Sequence, residues 1–196
     1  MINHNFINLF EILNSSINQN ENKYILFYSG HGKNGNMILP NDDEINFNDL
    51  IQFLSMSIKQ KSQILFVIDC CSIGKLNLTF KYNDGWYEYQ SKNYYEHNIL
   101  TFTSSHKEKS ISTNYGSLFT KHFLKNLNLY HFNDIITNID DGIISDSLNI
   151  KNKIEIPKIS IYSSYIFLDM LWPWLVNSKF ELLTDQYLRH VKITKL

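Results

Sequence analysis

Dense apolar runs alternate along the chain with segments of helical spacing. Ile64-Leu65-Phe66-Val67-Ile68 is apolar throughout, β-branched or aromatic apart from Leu65, and it runs into Asp69-Cys70-Cys71. A short run of this kind predicts a strand buried on both faces, over Gln63–Asp69. Tyr24-Ile25-Leu26-Phe27-Tyr28 has the same shape and predicts a strand over about Lys23–Tyr28, followed by Ser29-Gly30-His31-Gly32. Asn98–Ser104 predicts a third. Between the strands, Ile2, Phe6, Leu9, Phe10, Leu13 and Ile17 recur at three and four residues, the apolar face of a helix. Leu50, Ile51, Leu54 and Ile58 predict a second helix over Asn48–Lys59. Leu118, His122, Phe123 and Leu127 predict another over Ser117–Leu129, and a weaker pattern covers Asn133–Leu148. Ile159–Tyr162 reads as a last strand, and the tail beyond Ser164 as helical.

This order of elements implies an α/β layered fold on a mainly parallel sheet. Such sheets place their chemistry at the carboxyl ends of the strands. Both apolar runs deliver a reactive side chain there: His31 after one, Cys71 after the other. If the two strands are parallel neighbours, an imidazole meets a thiol, which is a nucleophile with its base. Side chains alternate at a strand end, so Cys71 facing the site sends Cys70 to the core and puts Asp69 on the same side as Cys71. The plainer alternatives are that Cys70 and Cys71 are ordinary buried cysteines, that His31 is a turn histidine and that Asp69 caps local backbone N–H groups.

Two other stretches change the picture. Lys75 to His97 carries Lys75, Lys81, Lys92, five tyrosines and Asn83-Asp84-Gly85 without a clear period. It reads as a long loop with a hairpin turn at Asp84-Gly85. Met37-Ile38-Leu39 is a short apolar piece closed by Pro40, and Asn41-Asp42-Asp43-Glu44 is an acidic turn.

At 196 residues, with 43% hydrophobic and 14% aromatic residues, residues 1–196 read as a single packed domain. The net charge of −1 gives no reason to expect nucleic acid or an anionic membrane as partner. The two cysteines are adjacent and suggest no disulfide framework, which favours a reducing, cytoplasmic setting. Met1–Asn5 has neither the basic nor the apolar segment of a signal peptide. Tyr165–Val176 is interrupted by Asp169 and Pro173 and is too short to span a bilayer.

Tyr28-Ser29-Gly30-His31-Gly32 and Asp69-Cys70-Cys71-Ser72-Ile73-Gly74 resemble the two signatures of the caspase-like cysteine peptidases (peptidase C14), with the metacaspase branch nearest. The histidine segment matches Y-S-G-H-G throughout. In the cysteine segment, D-[SC]-C-H-S-G in that branch, Ser72 and Ile73 stand where the family usually has His and Ser. Thr101–Thr120 is similar to the segment that opens the small-subunit half of metacaspases, and Ile156-Pro157-Lys158-Ile159 resembles the approach to a late strand. The similarity thus covers roughly Asn3–Leu171.

The resemblance implies a caspase-like three-layer α/β/α sandwich acting on protein or peptide substrates. His31 would be the general base and Cys71 the nucleophile, with the backbone N–H groups of Gly32 and Cys71 as the oxyanion hole. Asp69 would line the first specificity pocket and bind a basic side chain, giving cleavage after Lys or Arg. Residues 75–97 would be a processing loop, cut after Lys75, Lys81 or Lys92. No cofactor is required by this chemistry. Asp42, Asp43 and Glu44 resemble an acidic cluster that some metacaspases use for calcium, although three acids in a turn also read as a solvated loop. Metacaspases normally begin with a strand, a helix and a second strand ahead of the helix that opens this chain. Without them the edge of the first strand would be open to pairing. A catalytically weak caspase-like interaction module is the alternative reading, and a related acyl-transfer enzyme a third. Independently of the family, a pocket for Asp needs a basic fork, for which arginine is suited. The chain has one arginine, Arg189, outside every matched segment.

Overall fold

The computed structural model describes residues 11, 13–15, 17, 23–39, 42–58, 61–82, 86–89, 95–105, 110–113, 116–127, 131–149, 158–164, 181–183 and 191–195. Most of the opening apolar helix lies outside them. Its last turn is present, with Leu13 buried and its carbonyl accepting the N–H of Ile17 at 3.0 Å.

The centre of the fold is three parallel strands: β1 (Lys23–Ser29), β5 (Gln63–Asp69) and β8 (Asn98–Thr103). They lie in a sheet of order β12 (Glu181–Leu183), β13 (Val191–Lys195), β1, β5, β8, β11 (Ser160–Ser163), β6 (Phe80–Tyr82) and β7 (Trp86–Glu88), whose outer strands are antiparallel. The apolar run of β5 is buried from Ile64 to Asp69, as its composition predicts, because both faces of the strand are covered. Ile64, Phe66 and Ile68 pack with Tyr24, Leu26 and Tyr28 against Leu50, Ile51 and Leu54 of helix α1 (Phe47–Ser57). Leu65 and Val67 pack on the other side with Leu118, Phe119 and Phe123 of α2 (Leu118–Asn126) and Ile135, Ile139 and Ile143 of α3 (Phe132–Leu148). The result is a three-layer α/β/α sandwich. Each such side chain taken from water contributes about 1.5–3 kcal/mol before conformational entropy is charged against it. Helix starts follow local chemistry: the side chains of Asn46 and Ser117 accept the N–H groups of Asn48 and Phe119.

The hairpin expected at Asp84-Gly85 within residues 75–97 is present, so this stretch is not all loop. β6 (Phe80–Tyr82) and β7 (Trp86–Glu88) form an antiparallel hairpin that extends the main sheet beyond β11 (Ser160–Ser163), while the turn residues 83–85 lie outside the described set. This bears on processing. Leu76 and Leu78 are fully buried, Asn48 binds the Lys75 carbonyl and the Asn77 N–H, and the Lys81 ammonium lies over the rings of Tyr89 and Tyr162. Cutting after Lys75 or Lys81 would first require the core or the sheet to open. Lys92 lies outside the described residues.

The tail, expected to be helical, instead contributes two strands in its described parts, β12 (Glu181–Leu183) and β13 (Val191–Lys195). β13 pairs antiparallel with β1 from Tyr24 to Tyr28. The edge expected to stand open is thereby hydrogen-bonded. A small sheet surrounds His31: β2 (His31–Lys33), β3 (Asn36–Ile38) and β4 (Glu44–Asn46), with the apolar piece at Met37 inside it.

On α3, burial pushes the Asp140 carboxyl up to about 6, against the backbone N–H of Ile159 and with Asp141 adding to the rise. The folded state therefore holds this proton more tightly than the unfolded chain, which titrates near 3.8. Stability from the neutral acid is complete below that value and is lost as pH rises through about 6. Asp140→Asn should raise the Tm at pH 7 and give no advantage at pH 4. A difference independent of pH in thermal melts would remove Asp140 as the titrating group.

Candidate active site

Strands β1 and β5 end side by side. Ser29 is the register partner of Asp69, and the N–H of Gly30 donates to the Asp69 carbonyl at 3.1 Å. His31 and Cys71 each stand two residues beyond that pair, so they leave the sheet at the same level. Gly32 closes the gap between the two segments. A Cβ on Gly32 would lie 2.3 Å from the Cys71 carbonyl oxygen and 2.5 Å from the Cys70 sulfur. Both are under any tolerable contact, and one is backbone, so no side chain fits. Gly32→Ala is accordingly expected to cost about 1–3 kcal/mol or more through overpacking. A chemical denaturation midpoint unchanged from that of the unsubstituted chain would contradict this close approach.

The segment that carries His31 is held from below. The fully buried Tyr28 hydroxyl accepts the Ile38 N–H at 3.2 Å and lies 2.6 Å from the His31 carbonyl, to which it donates. Burial pushes this phenol well above its usual range, with Cys70 adding to the rise, so it remains a donor at all ordinary pH. The His31 side chain itself is exposed.

At the end of β5 the alternation of side chains continues through the cysteines. Cys70 lies among Tyr28, Ile68 and Ile73 in the core beneath α1, 1% exposed. Burial, with Asp69 and Cys71 adding to it, pushes the Cys70 thiol far up, so it stays protonated and inert. Cys71 is half-buried, and its sulfur accepts the backbone N–H of Ser110 at 3.3 Å. The chain then turns sharply: Ser72 has φ +50° and Gly74 φ +74°. The left-handed conformation costs a residue such as Ser72 about 1–2 kcal/mol. It is held by the Gly35 N–H, which donates to the Ser72 carbonyl at 2.8 Å. Behind the site, the hydroxyls of Ser104 and Ser105 both donate to the Cys70 carbonyl at 3.0 Å.

Asp69 points to the face opposite Cys70, as alternation requires, and is 2% exposed. One carboxylate oxygen accepts the Ser110 hydroxyl at 3.0 Å and the other accepts the Thr120 hydroxyl from the first turn of α2. Among the described residues no Lys, Arg or His forms an ion pair with it. Sequence reasoning assigned no role to Ser104, Ser105, Ser110 or Thr120. The first two carried a detectable signal, since they end a predicted strand at the edge that holds His31 and Cys71. Ser110 and Thr120 carried none.

The acidic turn behaves differently. Asp42 is exposed with φ +64°, and Glu44 accepts the Asn36 amide at 2.7 Å and lies 3.8 Å from the Lys33 ammonium. Asp42, Asp43 and Glu44 do not form a metal-holding group, and no such group of three or more His, Cys, Asp and Glu side chains occurs among the described residues. Nor is any helix among the described residues long and apolar enough to cross a membrane.

Comparison with known proteins agrees with the fold. The crystal structure of caspase-1 from Spodoptera frugiperda matches with a TM-score of 0.52 at 12% sequence identity, over 83% of this chain and 67% of that one. At that identity the likeness speaks to the fold. No curated protein matches the chain. The caspase-domain family model matches residues 3–164, a span that holds β1, β5, β8 and both strand-end motifs. With strand order, layers and sequence model in agreement, the chain belongs to the caspase-domain family of peptidases.

Proposed function

We propose that the chain is a cysteine endopeptidase of metacaspase type that cleaves proteins or peptides after Lys or Arg. The observation that carries this reading is the parallel register of β1 and β5, which sets His31 and Cys71 at one level with Gly32 against the Cys71 peptide. In this reading the Cys71 thiolate attacks the scissile carbonyl. His31 takes the thiol proton and later gives it to the leaving amine, and water then hydrolyses the acyl-enzyme. The Ser110 N–H donates to the Cys71 sulfur and fixes its position at the strand end. The N–H groups of Gly32 and Cys71 hold the developing oxyanion. The Asp69 carboxylate supplies the charge that a substrate ammonium or guanidinium pairs with, and Ser110 and Thr120 keep its oxygens in place.

A second reading is favoured by the cysteine segment, where Ser72 and Ile73 replace the family's His and Ser and Ser72 sits in a strained turn. It makes the chain a weakly catalytic module that acts by binding. A peptidyl electrophile with Lys next to its warhead separates the two. The peptidase reading expects a single adduct, on Cys71 by peptide mass mapping. Failure to form any adduct favours the binding module.

A further inference from the structure

The hydroxyls of Ser104 and Ser105 have no part in the chemistry described so far, yet both are aimed at a single backbone atom beside it. Each is buried, at 1% and 0% exposure, and each donates to the Cys70 carbonyl at 3.0 Å. Ser104 is itself fixed, since its N–H donates to the Ile68 carbonyl at 2.9 Å and so carries the β5–β8 pairing past the end of the sheet. A buried carbonyl needs one donor to avoid a desolvation penalty. Here two are supplied, which fills both lone pairs.

The Cys70 carbonyl shares its peptide group with the N–H of Cys71. In a planar trans peptide the two point in opposite directions, so fixing the carbonyl fixes where the N–H is aimed. Donors on the carbonyl oxygen also draw electron density through the amide and make the N–H a stronger donor, by an order of 10–30% per bond. We infer that Ser104 and Ser105 are positioning residues for oxyanion stabilisation: by gripping the Cys70 carbonyl they orient and polarise the Cys71 N–H. This rests on the peptidase reading above, in which that N–H receives the oxyanion.

The test uses the full chain, with Ser104→Ala, Ser105→Ala and the double variant, and whichever of otherwise identical Lys, Arg and Asp peptides the unsubstituted chain cleaves. Three quantities are read: kcat and KM, inhibition by a peptidyl aldehyde, and the rate at which iodoacetamide alkylates Cys71. The aldehyde forms a tetrahedral adduct whose oxygen occupies the oxyanion position. Alkylation proceeds by displacement of iodide and develops no oxyanion. The double variant is expected to lose about 10- to 100-fold in kcat with KM little changed, below the 10²–10³ seen when a donor is removed outright. Aldehyde inhibition should weaken in parallel, while the alkylation rate stays within about twofold. If the double variant fails to fold, each single variant, which retains one hydroxyl, should show the same pattern at smaller size. Equal losses in alkylation and turnover would mean a general packing role, and unchanged kcat and aldehyde inhibition in folded variants would mean no role; either overturns the inference alone. An unsubstituted chain that cleaves none of the peptides and takes no adduct overturns the peptidase reading and this inference with it.

Discussion

Cys71→Ala is expected to abolish peptide turnover, by at least about 10³-fold in kcat/KM, whereas Cys70→Ala should keep most of it. The two residues differ by one position and by everything around them. Cys71 is half-buried at the strand end, with the Ser110 N–H on its sulfur. Cys70 is enclosed by the core beneath α1, and its thiol is pushed far above the range in which a thiolate forms. Removing the Cys70 sulfur leaves a small cavity and should cost on the order of 1 kcal/mol of stability, visible as a lower Tm with kcat/KM nearly intact. His31→Ala should lose about as much activity as Cys71→Ala, and the double variant little more, because nucleophile and base act as a unit. A dead Cys70→Ala enzyme beside an active Cys71→Ala enzyme would show that the facing of the two cysteines has been assigned in reverse.

Asp69→Asn carries the other large expected effect. The carboxylate is 2% exposed and anchored by Ser110 and Thr120. Among the described residues it has no cationic partner. A substrate cation entering beside this buried carboxylate gains Coulomb energy that no neutral side chain can. Asparagine preserves the shape and removes the charge. Peptides with Lys or Arg before the cut should therefore lose about 10- to 100-fold in kcat/KM, equivalent to about 1.4–2.8 kcal/mol. The unsubstituted enzyme should not cleave the matching Asp peptide, since a second carboxylate would be driven against Asp69. Measured kcat/KM values for peptides differing at that one residue decide the matter. Faster cleavage of the Asp peptide, or an unchanged basic preference in Asp69→Asn, would take Asp69 out of the specificity pocket.

Much of this site was legible because it lies at the ends of strands whose pattern is local. The apolar run of β5 marked Gln63–Asp69, since a strand covered on both faces must be apolar throughout. The same alternation that separates Phe66 from Val67 separates Cys70 from Cys71. Helices α1 and α3 were readable from spacing for the same reason: one face of each is buried. The hairpin at Phe80–Tyr82 and Trp86–Glu88 was legible only in its turn at Asp84-Gly85, because strands of three residues are too short to show a period and are held by pairing of β6 to β11 and of β7 to β6.

What the sequence determined by itself was therefore the set of buried faces: the three central strands, the helices that cover them, and the placing of His31 and Cys71 just past the ends of two of those strands. The tertiary structure alone decided what meets at that edge. Ser104 and Ser105 reach the Cys70 carbonyl from 34 and 35 residues away, and Ser110 and Thr120 reach Asp69 from 41 and 51. It also decided that β13, in a tail expected to be helical, closes the edge of β1. The physical reason is common to all of these. A buried face is written into the spacing of neighbouring residues, whereas a hydrogen bond between distant segments depends on the register in which strands pair, and no local pattern encodes that register.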